Sequence, residues 1–313
     1  MTARPILEHR ASLRARLRAL FEGRGFVEVD TPVLSREVLP EAHIDPFAVP
    51  VEGHGRPLHY LQASPEAHMK RLLAAGSGPI YQFARAFRAG ERGPRHDVEF
   101  VLLEWYAPGT TLDDAAGLLA GLCAAALGTT GLERLTCREA FLAHVGVDPL
   151  AATLSDWRAA GARAGLVLPA DQADSCADWF DIVLSEAVAP RLGHGRPTML
   201  EEWPAAQAAF ARLVDGTPPT ARRFELFAGG VELANGWEEE TRREVLLERV
   251  AAANRTRVAA GRAPLPVPER LVEAHGPAMP AGVGAALGFD RLAMLAAGAP
   301  SIDAVRCFTS RTA

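Results

Sequence analysis

The clearest alternation of apolar and polar positions lies in the first third of the chain. Two runs with the pattern of β-strands, at 80–87 and 100–106, flank a polar loop. Because successive side chains of a strand point to opposite faces, Phe100, Glu104 and Tyr106 share one face of the second run. A carboxylate and a phenol two residues apart are unusual on a face that packs against a core. We therefore predict that this face forms the floor of a pocket that binds a cation and stacks a flat ring.

The loop between the two strands is rich in cationic side chains, which are Arg85, Arg88, Arg92, Arg95 and His96. Guanidinium groups form paired hydrogen bonds to phosphate oxygens, and clustered positive charge attracts anions. The loop is therefore predicted to bind an anion such as a triphosphate. From these residues alone, an exposed hairpin loop without a ligand stays open as the alternative.

Helical spacing of apolar residues accounts for much of the remaining chain. From Ile6 to Phe21 apolar residues recur at helical intervals, and Gly23 predicts the end of that helix. Further along, the pattern predicts a strand at 26–30, loops and short strands over 33–60, a helix that begins at Ser64-Pro65-Glu66, a buried helix at 112–127, a helix capped by Thr136 and Glu139, and helical segments within 128–195. No linker of domain-separating quality interrupts this order, so we expect a single domain over residues 1–313.

A tight hairpin is predicted at Gly229-Gly230, between strand-like runs at 224–228 and 231–234. With a two-residue turn, Glu225 and Glu232 lie diagonally on one face, with their Cβ atoms roughly 7–8 Å apart or somewhat less. Two carboxylates so placed repel each other unless a cation lies between them. A divalent ion that holds phosphate oxygens would meet that need. Solvated acids on an exposed hairpin are the alternative that the pattern leaves open.

Small residues alternate near the C-terminus, at Gly282, Gly284, Ala286 and Gly288. Such residues allow a ligand to approach the backbone closely. Arg291 follows in the first turn of an apolar helix, where free backbone amides and the helix dipole also favour an anion. This segment is therefore a second candidate for contacts with phosphate groups.

Composition and charge narrow the classes of function. A net charge of -5 over 313 residues argues against a general nucleic-acid binder, because no excess of positive charge is there to release counterions. A hydrophobic content of 49% with 23% charged residues is ordinary for a soluble globular protein. The single lysine, Lys70, stands among many arginines, which we interpret as a bias of genome composition.

The cysteines and the N-terminus bear on location. Four cysteines without a C-x-x-C pair disfavour a zinc site or a disulfide framework and fit a reducing cytosol. No apolar run reaches membrane-spanning length, so we expect no membrane association. A transit peptide is the weaker reading of the Arg-rich N-terminus, because that segment continues directly into an amphipathic helix pattern. The expected location is cytoplasmic.

In this order the blocks resemble the signature motifs of class II aminoacyl-tRNA synthetases. Residues 26–32 are similar to motif 1, residues 87–100 to motif 2, and residues 284–291 to motif 3. The runs SPEAHMKRL, RHDVEFVLLEWY and RFELFAGGVELANGWEEE are most similar to the lysyl branch. The resemblance implies an α+β catalytic domain, built as a mostly antiparallel sheet flanked by helices, and a homodimer.

Lysyl-tRNA synthetases carry an N-terminal anticodon-binding barrel, whereas motif 1 begins here by residue 26. The chain is therefore most similar to the stand-alone lysyl-tRNA synthetase paralogues, which attach (R)-β-lysine to a lysine of elongation factor P. That resemblance implies activation of β-lysine or lysine by ATP and Mg²⁺ as an aminoacyl-adenylate. It also implies elongation factor P as the acceptor and no recognition of a tRNA anticodon.

The resemblance also implies roles for individual residues. The implied catalytic residues are Arg88, at the α-phosphate, and Arg291, which with His96 contacts the outer phosphates. The implied ATP-binding residues are Arg88, Glu91, His96, Asp97, Phe100 (stacked on adenine), Glu232, Leu233, Asn235, Gly288 and Arg291, and the implied metal ligands are Glu225 and Glu232. The implied substrate-binding residues are Ser64 and Glu66 at the amino group near the carboxylate, Tyr106 and Glu239 at the distal ammonium, and Glu104 and Ala286 beside them.

Three positions depart from the family pattern. Gly90 stands where an acid usually reads the adenine amino group, and Glu91 follows it, so that contact is lost or shifted by one residue. Asp97 stands where asparagine is frequent. Ala286 stands where lysyl-tRNA synthetases have glycine. Since one methyl at a pocket wall changes discrimination by about 1–3 kcal/mol, Ala286 is a plausible selector for β-lysine over α-lysine.

Two other functions stay open. One is a truncated synthetase that charges a tRNA or a small amine, including asparagine-synthetase-like chemistry, against which the lysine-type pair of Tyr106 and Glu239 counts. The other is an inactive paralogue that senses an amino acid, which Gly90 favours and the retained Arg88 disfavours. Glu66 could also act only as a partner of its helix dipole.

Overall fold

The computed structural model describes residues 3–53, 58–166 and 175–313, so the parts of the predictions that fall on 54–57 and 167–174 lie outside the described residues. The α-helices are α1 (Ala3–Glu22), α2 (Glu66–Ala74), α3 (Leu112–Leu127), α4 (Cys137–Val145), α5 (Leu154–Arg163), α6 (Cys176–Val183), α7 (Arg243–Ala259), α8 (Glu269–Ala274) and α9 (Phe289–Ala296). The strands are β1 (Val27–Glu28), β2 (Leu34–Ser35), β3 (Ala48–Pro50), β4 (Leu58–Leu61), β5 (Ile80–Phe87), β6 (Glu99–Pro108), β7 (Glu133–Thr136), β8 (Thr198–Pro204), β9 (Leu213–Val214), β10 (Thr220–Ala228), β11 (Val231–Glu238) and β12 (Gly282–Gly288).

The chain forms two compact units. Unit 1 comprises Met1–Thr111, Ala125–Leu127 and Glu239–Ala313, and unit 2 comprises Leu112–Ala124 and Gly128–Glu238. Both units combine helices with strands that pair mainly antiparallel, which confirms the predicted α+β class.

In unit 1 the strands run in the order β1-β5-β6-β12. Strand β1 is parallel to β5, whereas β5, β6 and β12 are antiparallel to one another. A separate small sheet has the order β2-β4-β3, which fits the prediction of short strands before α2. Helices α2 and α9 pack against β6, so the strand with the unusual carboxylate and phenol lies under helices on a buried sheet.

The N-terminal helix was predicted from its apolar spacing, and α1 confirms it. Leu13, Leu17 and Phe21 are fully buried, and the Phe21 ring stacks on Tyr81 of β5 with ring centroids 4.6 Å apart. The strand predicted at 26–30 is shorter, because only two residues of β1 pair with β5 before the chain leaves the sheet.

The central hairpin of unit 1 follows the sequence pattern closely. Strand β5 has the predicted bounds, and β6 extends the predicted run by one residue at its start and two at its end. In the register of this sheet, Glu104 lies opposite Gln82 of β5 and opposite Ala286 of β12. Tyr106 lies opposite Gly284 in the same way.

In unit 2 the strands run in the order β11-β10-β8-β7, with β9 beside β10. The hairpin at Gly229-Gly230 is confirmed, since Ala228 pairs with Val231 and Phe227 pairs with Glu232. Farther from the turn, the register shifts by one residue between Phe227 and Leu226, so Glu225 lies opposite Asn235. This β-bulge is the one feature of the hairpin that the alternation did not predict.

The helices of unit 2 and strand β8 share an aromatic core. Phe141, Trp157, Phe180 and Trp203 are buried together, with the Phe141 and Phe180 rings stacked at 4.9 Å. The predicted capping box is present, because the Thr136 hydroxyl accepts from the amide of Glu139, whose carboxylate accepts from the amide of Thr136. The described part of 128–195 therefore contributes helices that pack in the hydrophobic core, as its apolar spacing indicated.

Across the described ranges, none of the helices is both long enough and apolar enough to cross a lipid bilayer.

Candidate active site

The floor of the candidate pocket is the buried pair of Glu104 and Tyr106 on β6. The Tyr106 hydroxyl donates a hydrogen bond of 2.7 Å to Oε1 of Glu104, which confirms that the two side chains share a face. The Ser64 hydroxyl donates a second bond of 2.8 Å to Oε2 of Glu104. Both carboxylate oxygens of Glu104 thus accept hydrogen bonds from neutral hydroxyl groups, and the residue is only 1% exposed to solvent.

Burial dominates the electrostatics of this pair. It raises the pKa of Glu104 to about 8, with a further contribution from the charge of Glu66, against the opposing effect of the two hydrogen bonds and of Lys70. Burial and the neighbouring carboxylates also raise the pKa of Tyr106 well above its ordinary value. Near neutral pH the floor therefore carries a largely protonated carboxyl group beside a neutral phenol.

Above this floor one ammonium group joins two carboxylates. The Nζ atom of Lys70 lies 2.5 Å from Oε1 of Glu66 and 2.7 Å from Oε2 of Glu239. It also lies 6.0 Å from the centre of the Tyr106 ring. Burial by itself would lower the pKa of Lys70, but the charges of Glu239 and Glu66 outweigh it and raise that pKa above its ordinary value. The pocket thus already holds a buried primary ammonium group.

Local structure explains how these side chains meet. Glu66 begins α2, and the N-cap residue is Pro65 instead of the predicted Ser64. The Ser64 hydroxyl still accepts a hydrogen bond of 3.0 Å from the amide of Glu66. Lys70 follows one helical turn later on the same side. The Glu239 amide donates to the carbonyl of Gly282, which fixes the start of β12 beside Glu239.

Gly284 determines whether the pocket can form. A Cβ atom at this position would overlap the Tyr106 ring and Oε1 of Glu239. Gly284 therefore lies directly against the two side chains that were predicted to bind a distal ammonium group, and no other residue type fits there without displacing them. The next small residue on this face, Ala286, is half-buried opposite Glu104.

The loop after β5 brings the predicted nucleotide residues together at its ends. The Arg88 guanidinium lies over the Phe100 ring, 5.1 Å from its centroid, and 3.8 Å from the Glu91 carboxylate. Gly90 has a φ of +79°, a conformation that favours glycine, and the turn it makes directs Glu91 toward Arg88. The acid that follows the glycine thus lies within ion-pair distance of Arg88.

His96 and Arg291 are neighbours although 195 positions separate them. The Nη2 atom of Arg291 lies 2.5 Å from Nε2 of His96, and its Nε donates to the carbonyl of Arg95. A Cβ atom at Gly288 would touch the aliphatic part of Arg291 at 3.6 Å, so that stem lies against the end of β12. The two residues predicted to contact outer phosphates therefore lie side by side.

Asp97 is engaged by the C-terminal segment. Its Oδ2 accepts from the amide of Ser310 at 3.0 Å and from Arg306 at 2.9 Å, and its Oδ1 accepts from the amide of Val98. Burial opposes ionisation, but the bonds to Ser310 and Val98 and the charge of Arg306 lower the pKa of Asp97 below its ordinary value. Asp97 holds two distant segments together, and its nucleotide role stays a prediction.

In unit 2 the predicted metal ligands lie close enough to repel each other. Burial, followed by the charge of Glu232, raises the pKa of Glu225 to about 8. Arg223 opposes this shift, since its Nη2 lies 2.6 Å from Oε1 of Glu225 and its Nε donates to Oδ1 of Asn235 at 3.2 Å. Leu233 is buried on the bulged part of β11.

These residues fit a Mg²⁺ ion that is bound mainly by phosphate oxygens and water. Within the described residues, no group of three or more His, Cys, Asp or Glu side chains could hold a metal on its own. A magnesium ion commonly takes only one or two carboxylates and completes its shell with substrate and water. Burial and the charge of Glu232 raise the pKa of Glu225 although Arg223 pairs with it, so a divalent ion at this carboxylate pair would add favourable positive charge.

Two residues of the site, Lys70 and Arg223, were not identified from the sequence. Lys70 was assigned to genome composition, although its position four residues after Glu66 is the spacing of a helical ion pair. Arg223 lies two residues before Glu225 and hence on the same face of β10, which was a usable signal. Gly284 was predicted as one of the small residues that allow close approach, but its packing against Tyr106 and Glu239 was not predicted, because it depends on two other segments.

The fold and these motifs agree with comparisons to known proteins. The family model described as tRNA synthetases class II (D, K and N) matches residues 2–312, and the chain belongs to this family. A Salmonella typhi protein named elongation factor P--(R)-beta-lysine ligase is 37% identical over 308 residues, which is 97% of this chain and 95% of the relative. Proteins of the same name are 39% identical in Edwardsiella ictaluri, over 96% of this chain and 93% of the relative, and 37% identical in Enterobacter sp. (strain 638), over 97% and 95%.

Proposed function

We propose that the chain activates (R)-β-lysine with ATP and transfers the β-lysyl group to a lysine side chain of elongation factor P. In the first step a carboxylate oxygen of the amino acid attacks the α-phosphorus, and the bond to pyrophosphate breaks. In the second step the acceptor amine attacks the adenylate carbonyl, AMP leaves, and the amine loses a proton. No covalent enzyme intermediate is needed, because the mixed anhydride is already activated.

The observation that carries the proposal is the ammonium-binding character of the pocket in unit 1. Glu66 and Glu239 hold the Lys70 ammonium at hydrogen-bond distance, and the Tyr106 ring closes the same space. Carboxylates and an aromatic face are the groups that bind primary ammonium ions. A substrate with two ammonium groups, such as lysine or β-lysine, would use this chemistry at its amino groups.

Arg88, His96 and Arg291 are proposed to bind ATP. A guanidinium suits the α-phosphate because its paired donors match the oxygens whose charge grows as the carboxylate attacks. Arg88 would leave the face of Phe100, which then stacks on adenine. Glu91 is the candidate for the adenine amino group, because the Gly90 turn has moved the acid one residue along.

Glu225 and Glu232 are proposed to hold Mg²⁺, with Asn235 beside them. The ion would neutralise charge on the phosphate groups and increase the electrophilicity of phosphorus. For that role the Glu225 carboxyl must ionise, and its contact with Arg223 favours the charged form. The further proposals are a homodimer, a cytoplasmic location and no recognition of a tRNA anticodon.

The acceptor distinguishes this function from its nearest rival. The protein is incubated with ATP, Mg²⁺, and α- or β-lysine, together with either elongation factor P or bulk tRNA, and each acceptor is analysed by intact mass. The proposal predicts that elongation factor P gains the mass of one β-lysyl residue while tRNA is unchanged. A gain on tRNA alone would identify a truncated tRNA synthetase instead. No gain together with no ATP consumption would support an inactive, amino-acid-sensing paralogue.

A further inference from the structure

Lys70 is the only lysine of the chain, and all the other residues among its 33 Lys and Arg are arginines. Its side chain is 3% exposed and ion-paired to Glu66 and Glu239. We propose that Lys70 is a positioning residue that holds these two carboxylates in place and cancels one of their charges, and thereby sets how strongly the pocket binds a diamino acid. This inference rests on the proposed function of the same pocket.

Glu66 and Glu239 need such a residue because they come from different segments. One begins α2 and the other precedes α7, and both are at least nine-tenths buried. Two buried carboxylates that contact a common atom would repel each other without a cation between them. The Nζ atom bridges them at 2.5 and 2.7 Å, so each carboxylate has a defined position before any ligand arrives.

Charge balance gives the bridge a second effect. Burial raises the pKa of Glu104 to about 8, so near neutral pH this group is largely uncharged, and Glu66, Glu239 and Lys70 together leave one net negative charge. A diamino acid with two ammonium groups and one carboxylate carries one net positive charge, so the two match. Without Lys70 the pocket would carry a second buried negative charge, and the two acids would be free to move apart.

The size of the ammonium group explains why an arginine does not serve here. A compact –NH₃⁺ can donate to two carboxylates from one point, whereas a planar guanidinium spreads its donors over a fork. The Tyr106 ring lies 6.0 Å from Nζ, and the backbone of Gly284 packs directly against that ring and against Glu239. Replacement by arginine would preserve the charge and displace the acids.

The test is chemical rescue in lysine-dependent ATP–pyrophosphate exchange. Lys70→Ala removes the atoms of n-propylammonium, so this ion can occupy the vacated space. We expect the substitution to raise KM for lysine by about tenfold or more, the effect of losing a charged hydrogen bond, with a smaller change in kcat. Added n-propylammonium should lower KM again in a saturable way, while 1-propanol, which fills the space without charge, should not.

Two further variants separate positioning from stability. Arg257→Ala removes another buried cation of unit 1, one that pairs with Asp45, and its activity should not respond to n-propylammonium. Lys70→Arg keeps the charge and therefore tests the geometry even if the alanine variant fails to fold. It should fold and show a raised KM for lysine.

Three results would overturn the inference: a KM for lysine in Lys70→Arg equal to that of the unmodified protein, no rescue of a folded Lys70→Ala variant, or equal rescue by 1-propanol. Absence of any lysine-dependent exchange in the unmodified protein would refute the proposed function itself. Since that control precedes the variants, the two failures are distinguished.

Discussion

The hydroxyl of Tyr106 donates a 2.7 Å hydrogen bond to the carboxyl group of Glu104, two residues earlier on the same strand. A second donor, Ser64, holds the other oxygen, and burial raises the pKa of Glu104 to about 8. The floor of the pocket is therefore a fixed hydrogen-bonded group, and its protonation changes close to neutral pH.

This shift makes stability depend on pH. Because the folded-state pKa of about 8 lies above the ordinary value of 4.5, the folded protein binds more protons than the unfolded chain between these values. The free energy of unfolding should thus fall as pH rises through that window. Glu104→Gln should make the free energy of unfolding fall less steeply with pH, by a difference in slope that corresponds to at most one bound proton. Urea denaturation at several pH values between about 5 and 8 measures this slope. Parallel curves for both proteins would show that Glu104 titrates normally.

Gly284→Ala should abolish lysine-dependent exchange. The added methyl group overlaps Tyr106 and Glu239, so both side chains must move away from the positions in which they could contact an ammonium group. Gly117→Ala in α3 is the matched control, because its added methyl meets nothing within 4 Å. It should keep full activity and be as stable or more stable, by up to about 1 kcal/mol. Wild-type KM in the Gly284 variant would contradict the proposed pocket.

Glu239→Gln should lower kcat/KM for lysine by roughly 10- to 150-fold, the loss of a charged hydrogen bond worth about 1.5–3 kcal/mol. The change should lie mainly in KM, measured by exchange at varied lysine concentration. Glu238→Gln is the control one position earlier, where the carboxylate pairs with Arg212 and Arg222 instead. Equal effects of both substitutions would indicate general damage to the segment.

The sequence predicted the elements whose period is regular. Strand β5 and helix α3 have the predicted bounds, because their alternation or apolar content is unbroken and glycines or prolines limit them. The pairing of Phe227 with Glu232 across the hairpin was predicted from the two-residue turn. The bulge between Leu226 and Phe227 could not be predicted from the alternation, because β10 pairs with a strand on each side.

For the candidate active site, the sequence predicted which residues take part but not which of them contact each other across segments. Glu104 and Tyr106 were found together because two-residue spacing fixes the face they share. The bridging of Glu66 and Glu239 by Lys70 depends on where α2 packs, and that is set by tertiary contacts. Lys70 was not identified as a site residue, because a single lysine among many arginines was interpreted as a bias of genome composition.

Ala286→Gly should increase activation of α-lysine. Ala286 lies opposite Glu104 in the sheet, so its methyl group trims the space beside the pocket floor. Loss of one methyl can change discrimination by about 1–3 kcal/mol, and exchange with α-lysine should rise roughly tenfold relative to β-lysine. Ala285→Gly, on the opposite face of β12 beside Trp105, should leave this ratio unchanged. An unchanged ratio in the Ala286 variant would remove this residue from the selector role.

The most direct test of the central claim is a survey of amino-acid-dependent ATP–pyrophosphate exchange. The purified protein is assayed with β-lysine, α-lysine, ornithine, asparagine and aspartate in separate reactions. We predict exchange with β-lysine, weaker exchange with α-lysine, and none with asparagine or aspartate, because buried carboxylates bind ammonium groups and repel acids. Exchange that depends on aspartate or asparagine, or no exchange with any of the five, would contradict the central claim.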